Sequence, residues 1–249
     1  MRYVIKIAYD GTAYAGWQRQ KNAISVQEKI EDGLRLALGV DVRVTASGRT
    51  DAGVHAAAQT AHFDLESCTV PPEKMPNLLN RFLPSDIRIL EGRLAEDSFD
   101  CNRSAKKKTY RYSLYVSNYE MPLLERYAVR IERAAGLQKL QEIAACFEGE
   151  HDFKAFCASG SSVKTTVREV YEVRIEESQR YQNRTIDVYV TGNGFLYNMV
   201  RTLVGTLLDI AEGKRTKDSV ALAYQTGDRA LLGKTMPAKG LTLMQVDYE

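Results

Sequence analysis

Paired cysteines are missing from this 249-residue chain: the four, at 68, 101, 146 and 157, make no C-x-x-C pair, and the histidines at 55, 62 and 151 do not join them at zinc-ligand spacing. Reduced thiols in a cytosol are the expectation, with no metal site. Also absent is the H-x-E with P-C-x-x-C set, which argues against the zinc-dependent base deaminases. No run approaches the roughly eighteen apolar residues of a membrane span. The opening MRYVIKIAYD mixes charge with alternating apolar positions where a signal peptide would carry an apolar core. A soluble, unexported, cytoplasmic protein without membrane association is therefore expected. A strong charge of one sign is lacking as well: the net charge of +2 neither demands nor excludes a nucleic-acid partner, because clustering matters more than the sum.

What is present is an ordinary globular composition, 44% hydrophobic and 27% charged, enough for one large core or two modest ones. Residues 3–9 alternate as a strand, with Ile5, Ile7 and Tyr9 on one face. Ser25 with Glu28 makes a capping box, Val26, Ile30, Leu34 and Leu38 follow every four residues, and Gly39 ends the predicted helix. Further strands are predicted around Ala61, Phe63 and Leu65, over 87–94, around Tyr110, Tyr112 and Leu114, over 167–175, around Ile186, Val188 and Val190, and around Leu241 and Leu243. Helices are predicted over 72–82, over 137–147 and from about Asn198 to Gly213.

This pattern predicts an α+β fold of two similar mixed halves, 1–104 and 105–249, each with an antiparallel-type sheet and helices, around a central active-site cleft. Period alone leaves parallel units open. No Pro/Gly/Ser-rich linker or low-complexity run separates the halves, so a broad shared interface is expected.

Three clusters carry chemistry. The stretch 9–18, YDGTAYAGWQ, has the glycine spacing of a phosphate loop, but Trp17 and Gln18 stand where that loop needs Lys and Ser or Thr. It reads either as a glycine-bearing turn with a buried tryptophan or as an RNA-facing wall using Trp17 and Gln18. In 48–55, GRTDAGVH, two glycines free the backbone so that Arg49-Thr50-Asp51 can be presented sharply, and the nearby Arg49 cation would keep Asp51 ionised. The alternative is a plain turn, where Asp and Gly are favoured. Glycosidases need a second, opposed carboxylate, and none stands out; a single one suits a reaction that cleaves a glycosidic bond and rejoins the base through another atom. Finally, Arg103, Lys106, Lys107, Lys108 and Arg111 interleave with Tyr110 and Tyr112, either as a solvated face or as an RNA-backbone contact.

The segments YDGTAYAGWQRQ (9–20), GRTDAGVHAAAQ (48–59), KKKTYRY (106–112), GNGFLYNMVRTLVG (192–205) and PAKGLTLMQVDY (237–248) resemble, in order, the motif set of the tRNA pseudouridine synthase A family. The resemblance covers nearly the whole chain. It implies a cofactor-free and metal-free isomerase of uridine to pseudouridine, homodimeric, acting on the 3′ side of the tRNA anticodon stem-loop at tRNA positions 38, 39 and 40. By that resemblance Asp51 is the catalytic nucleophile, through attack on the sugar carbon or through elimination to a glycal. Arg49 takes part in flipping or holding the target nucleotide, Tyr110 stacks on the uracil, Arg201 lies beside Asp51, and Leu241 or Leu243, with Leu243 preferred, packs on the base. Read without the resemblance, Tyr110 is a core aromatic, and Arg201, on the polar edge of an apolar helix with Asn198, Gly205 and Asp209, suits a surface ion pair.

The chain departs from the family where Cys101-Asn102-Arg103 replaces the usual Ala-Arg-Phe and where Thr242 replaces a tyrosine, which bears on RNA contacts more than on chemistry. A non-catalytic RNA-binding or RNA-chaperone protein is the competing reading. Against it stands the Asp51 carboxylate, whose charge would weaken binding to phosphates. A phosphohydrolase built on His151-Asp152 is a weaker third.

Overall fold

In the computed structural model, which describes residues 1–158 and 163–249, the opening alternation forms β1 (Arg2–Tyr9). Ile5 and Ile7 on its inner face are fully buried. The helix α1 (Val26–Leu38) starts where the Ser25 hydroxyl accepts the Glu28 N–H at 3.3 Å and stops at Gly39, left-handed at φ 72°. Val26, Ile30 and Leu34 form its buried stripe. Removing the cap tests this local logic: Ser25→Ala should lower stability by about 1 kcal/mol, seen as a lower urea midpoint with unchanged slope.

A two-residue strand β2 (Thr45–Ala46) leads into the loop that precedes β3 (His55–Asp64). The helix predicted over 72–82 is cut to a 3-10 turn at Pro72–Lys74 and the short α2 (Met75–Leu79). Asn80 ends it by turning its side chain to the backbone of Ile89, accepting that N–H at 2.8 Å and donating to the C=O at 2.9 Å. Ile89 lies in β4 (Ile87–Ala95), which flanks β1 on the side away from β3, and both pairings are antiparallel.

The second unit is built on β5 (Lys107–Val116), with the three-residue β6 (Val129–Ile131) parallel beside it. There follow α3 (Leu137–Ala144), extended by a 3-10 turn to Phe147, then β7 (Gly149–Asp152) and the long hairpin of β8 (Val167–Arg180) and β9 (Asn183–Gly192). The hairpin turns on Tyr181 and Gln182, both at positive φ (48° and 62°), the signature of a type I′ connection. The strand order β5-β9-β8-β7 is antiparallel throughout. Two helices close the unit, α4 (Met199–Ala211) and α5 (Lys217–Thr226), the second not anticipated from the sequence.

The last strand, β10 (Leu241–Asp247), pairs in parallel with β3, Thr242 opposite His55 and Leu243 opposite Ala56. The chain thus divides into Met1–Lys106 with Thr242–Glu249, and Lys107–Leu241. The closing strand, read from sequence as part of the second half, is grouped with the first. Among the described residues the strand pairings within each unit are antiparallel except β3 with β10 and β5 with β6, which resolves what periodicity left open. Among the described residues no helix is long and apolar enough to cross a membrane.

Candidate active site

The loop between β2 and β3 is a framed object. The Asp51 C=O accepts the Val54 N–H at 3.1 Å, and Gly53 sits at φ +78°, so 51–54 form a type II turn whose third position requires glycine. Two further backbone bonds tie it to the segment after β1: Trp17 N–H to the Thr50 C=O at 3.0 Å, and Gly53 N–H to the Tyr14 C=O at 3.3 Å. A Cβ on Gly11 would lie 2.0 Å from the Val54 oxygen, and one on Gly16, itself at φ +90°, 2.5 Å from the Thr50 oxygen. The glycine spacing that imitates a phosphate loop therefore serves close backbone approach to the Asp51 turn.

Within this frame Arg49 is exposed, Thr50 is buried and Asp51 is half-buried. Trp17 is 2% exposed, its ring 6.1 Å from that of Tyr9, so it buttresses the loop from the core side and offers no wall to RNA. The Gln18 amide donates to Gln27 Oε1 at 3.0 Å and is tied to α1. Trp17 thus takes the buried position that the turn reading expected, and Gln18 is half-buried with its amide held on α1. His55, the first residue of β3, accepts the Gly11 N–H on Nδ1 at 3.0 Å. Leu243, opposite Ala56, is 1% exposed.

In the second unit the basic run divides by strand alternation. Lys108, Tyr110 and Tyr112 occupy one face of β5, whereas Lys107 and Arg111 occupy the other. Lys106 and Lys107 are exposed and Lys108 is half-buried. Arg111 Nε lies 3.9 Å from Asp187, which also accepts the Ser113 hydroxyl and, at 3.0 Å, Arg180. Tyr110 is 9% exposed, its ring edge-on to Phe195 with centroids 5.3 Å apart and planes at 89°. Tyr112 donates its hydroxyl to the Pro237 C=O at 2.7 Å. Burial pushes that phenol well above its usual range, with the Arg201 charge acting in the opposite sense.

Arg201 is on the first turn of α4. Asn198, left-handed at φ 64°, accepts Arg201 NH1 on Oδ1 at 2.6 Å, and Arg201 Nε donates to the Met236 C=O at 2.6 Å. The guanidinium is thus aimed by the residue that opens its own helix and by the strap leading to β10. Asp209, a partner the sequence made conceivable, is instead 3.4 Å from Arg215.

Other sequence candidates take structural roles. His151 stacks on Tyr224 at 4.1 Å and bonds the Glu148 carbonyl, while Asp152 caps the turn Phe153–Phe156 by accepting the Lys154 N–H, leaving neither arranged as a hydrolytic pair. Cys101 is buried with its thiol on the Thr45 C=O at 3.0 Å and beside His62, so this departure from the family pattern fills a core position while Asn102 and Arg103 stay exposed. Among the described residues no group of three or more His, Cys, Asp or Glu could hold a metal ion.

A family model described as tRNA pseudouridine synthase matches residues 5–111 and 143–249. The chain belongs to this family. Proteins curated as tRNA pseudouridine synthase A include one from Thermoanaerobacter sp. (strain X514), 40% identical over 245 residues with 98% of each chain covered. One from Ruminiclostridium cellulolyticum is 42% identical over 246 residues, again with 98% of each chain covered. One from Shouchella clausii is 41% identical over 248 residues, covering 99% of this chain and 93% of its own. The two matched stretches contain the family motifs read from the sequence except the last residue of one, Tyr112: the Asp51 turn, Lys106 to Lys108 and Tyr110 fall in the first, Arg201 and Leu243 in the second. Residues 112–142, between them, carry the second half of β5, all of β6 and most of α3.

Proposed function

We propose that this chain isomerises uridine to pseudouridine in tRNA, on the 3′ side of the anticodon stem-loop, with Asp51 as the nucleophile. The observation that carries the reading is the Asp51 turn: a carboxylate neither packed away nor set out in bulk solvent, on backbone pinned from two directions, within a chain of the pseudouridine synthase family.

The reaction breaks the bond between C1′ and N1, turns the uracil, and joins C5 to C1′. A proton leaves C5 and one is taken up at N1, so atoms and electrons balance with no redox agent. Asp51 must be ionised to engage the ribose. Extraction of the base from its stack costs a few kcal/mol, and Arg49 is assigned to holding the extruded nucleotide. Tyr110 is assigned to stacking on the detached uracil, a contact worth about 1–3 kcal/mol per base. Arg201 and Leu243 are carried over from the motif match as active-site residues, and a cytoplasmic homodimer is part of the same reading. A purely RNA-binding protein has no use for the turn, because an acidic side chain near phosphates lowers affinity.

Incubation with an unmodified tRNA transcript, followed by carbodiimide treatment and primer extension, should give stops at uridines on the 3′ side of the anticodon arm; folded protein with no such stop refutes the proposal. The basic run has its own check. Substituting Lys106 and Lys107 by Ala should flatten the slope of log affinity against log salt by about 0.7–0.9 for each phosphate no longer neutralised, measured by filter binding.

A further inference from the structure

Beneath the turn lies a polar network that the reaction as outlined does not use. The Tyr9 hydroxyl and Thr50 Oγ1 are 2.7 Å apart. Gln59, on β3, accepts the Ser47 hydroxyl on Oε1 and donates from Nε2 to the Gly48 C=O at 2.9 Å. Its amide also reaches the Tyr9 oxygen. Ser47 and Gln59 are 0% exposed and Thr50 is 6% exposed. Burial raises the Tyr9 phenol far above its usual range, so it stays a neutral hydroxyl able to give and take hydrogen bonds.

A plain turn on a sheet edge could rest on aliphatic side chains, which pack without directional demands. Buried hydroxyls and amides are tolerated only when paired, and what they add is orientation. Here they grip the chain at Ser47, Gly48 and Thr50, before and after Arg49 and one residue short of Asp51. Two strands supply the grip: β1 through Tyr9, its last residue, and β3 through Gln59, five residues into the strand. The carboxylate therefore inherits its bearing from the sheet and not from its own loop.

We propose that Tyr9 and Gln59 are positioning residues for the isomerisation, setting the direction of Asp51 through Thr50 and Gly48; this rests on the function proposed above. Neither touches the reacting atoms. Tyr9→Phe removes one hydroxyl from a buried site, Thr50→Val removes its partner, and Gln59→Met removes the amide at similar volume.

The test combines single-turnover rates with amide hydrogen exchange across 49–54, at a temperature where circular dichroism shows each variant folded. Tyr9→Phe and Gln59→Met should each lower the rate by about 10- to 100-fold, the scale of a small misplacement of a reacting group. Their tRNA dissociation constants should stay within about twofold of the parent, and exchange across 49–54 should quicken. Tyr9→Phe combined with Thr50→Val should lose no more than the worse single variant, and Thr50→Ser should recover most of what Thr50→Val loses. Ile30→Val in α1 serves as the stability control, since it weakens the core without touching the network. The inference is overturned by a Tyr9→Phe rate within about twofold of the parent with unchanged exchange, or by an equal rate loss in Ile30→Val. If the parent chain forms no pseudouridine, the function fails on that arm alone, and the exchange data still decide whether the network holds the turn.

Discussion

Asp51→Asn should leave tRNA binding intact and remove turnover, by about 10⁴-fold or more, the scale on which loss of a reacting group acts when the rest of a site is preserved. The substitution keeps size and shape, so the backbone frame should survive: the Asp51 C=O still accepts the Val54 N–H, and Gly53 still supplies the positive φ. Only the negative charge goes. On the proposed reading binding rests on cations and aromatics elsewhere, and loss of an acidic group facing polyanionic RNA should tighten it. Single-turnover assays with labelled uridine, beside filter binding of the same preparation, separate the two. Turnover within tenfold of the parent would show that another group does the chemistry.

The largest stability effect is expected at Gly205→Ala, where the sign contradicts local reasoning. Inside an exposed helix that change gains about 1 kcal/mol, because glycine is the weaker helix former. At this position a Cβ would lie 1.9 Å from the Lys234 oxygen and 3.0 Å from its carbon, both backbone atoms that no rotamer change can move aside. The contact is reciprocal, for a Cβ on Gly233 would lie 2.5 Å from the Gly205 oxygen. Thr206 adds a bond by accepting the Gly233 N–H at 3.0 Å while donating to the Thr202 C=O at 2.8 Å. Overpacking of this kind should cost about 2–4 kcal/mol net, read as a fall in the urea midpoint. Catalysis should fall too, since the same strap holds Arg201 through the Met236 carbonyl. A stability gain would mean that α4 and the strap have room between them for a methyl group.

Much of this architecture is legible residue by residue. β1, α1, β9 and α4 announce themselves because their signals are local: alternation, a Ser cap, a glycine stop, an apolar stripe. α5 does not, because its buried set is only Val220 and Ala223, too sparse for a period to emerge, although Thr216 caps it as a cap should. β2 and β6, two and three residues long, are too short to carry a pattern at all. The place of β10 beside β3 is a pairing across some 180 residues, for which sequence offers no geometric clue.

The site divides in the same way. Gly48 to His55 stands out by residue type and by family resemblance, whereas what supports it is tertiary. The sequence leaves Trp17 and Gln18 open between a turn with a buried tryptophan and an RNA-facing wall, because glycine spacing alone does not say that two backbones will touch there. Gln59 sits in an alanine-rich strand and gives no sign that its amide will be sealed beneath the turn. Asn198 shows the reverse, a polar residue at a predicted helix start whose left-handed backbone directs its side chain to Arg201.

The return of β10 to the first unit bears on how the molecule is made. As the chain leaves the ribosome, the strand that opens with His55 lacks its parallel neighbour until Thr242–Glu249 arrives, after the whole second unit has been synthesised. A protein cut before Thr242 would keep every residue assigned to chemistry except Leu243, yet leave β3 without its parallel neighbour, so competence should come only once that strand is in place.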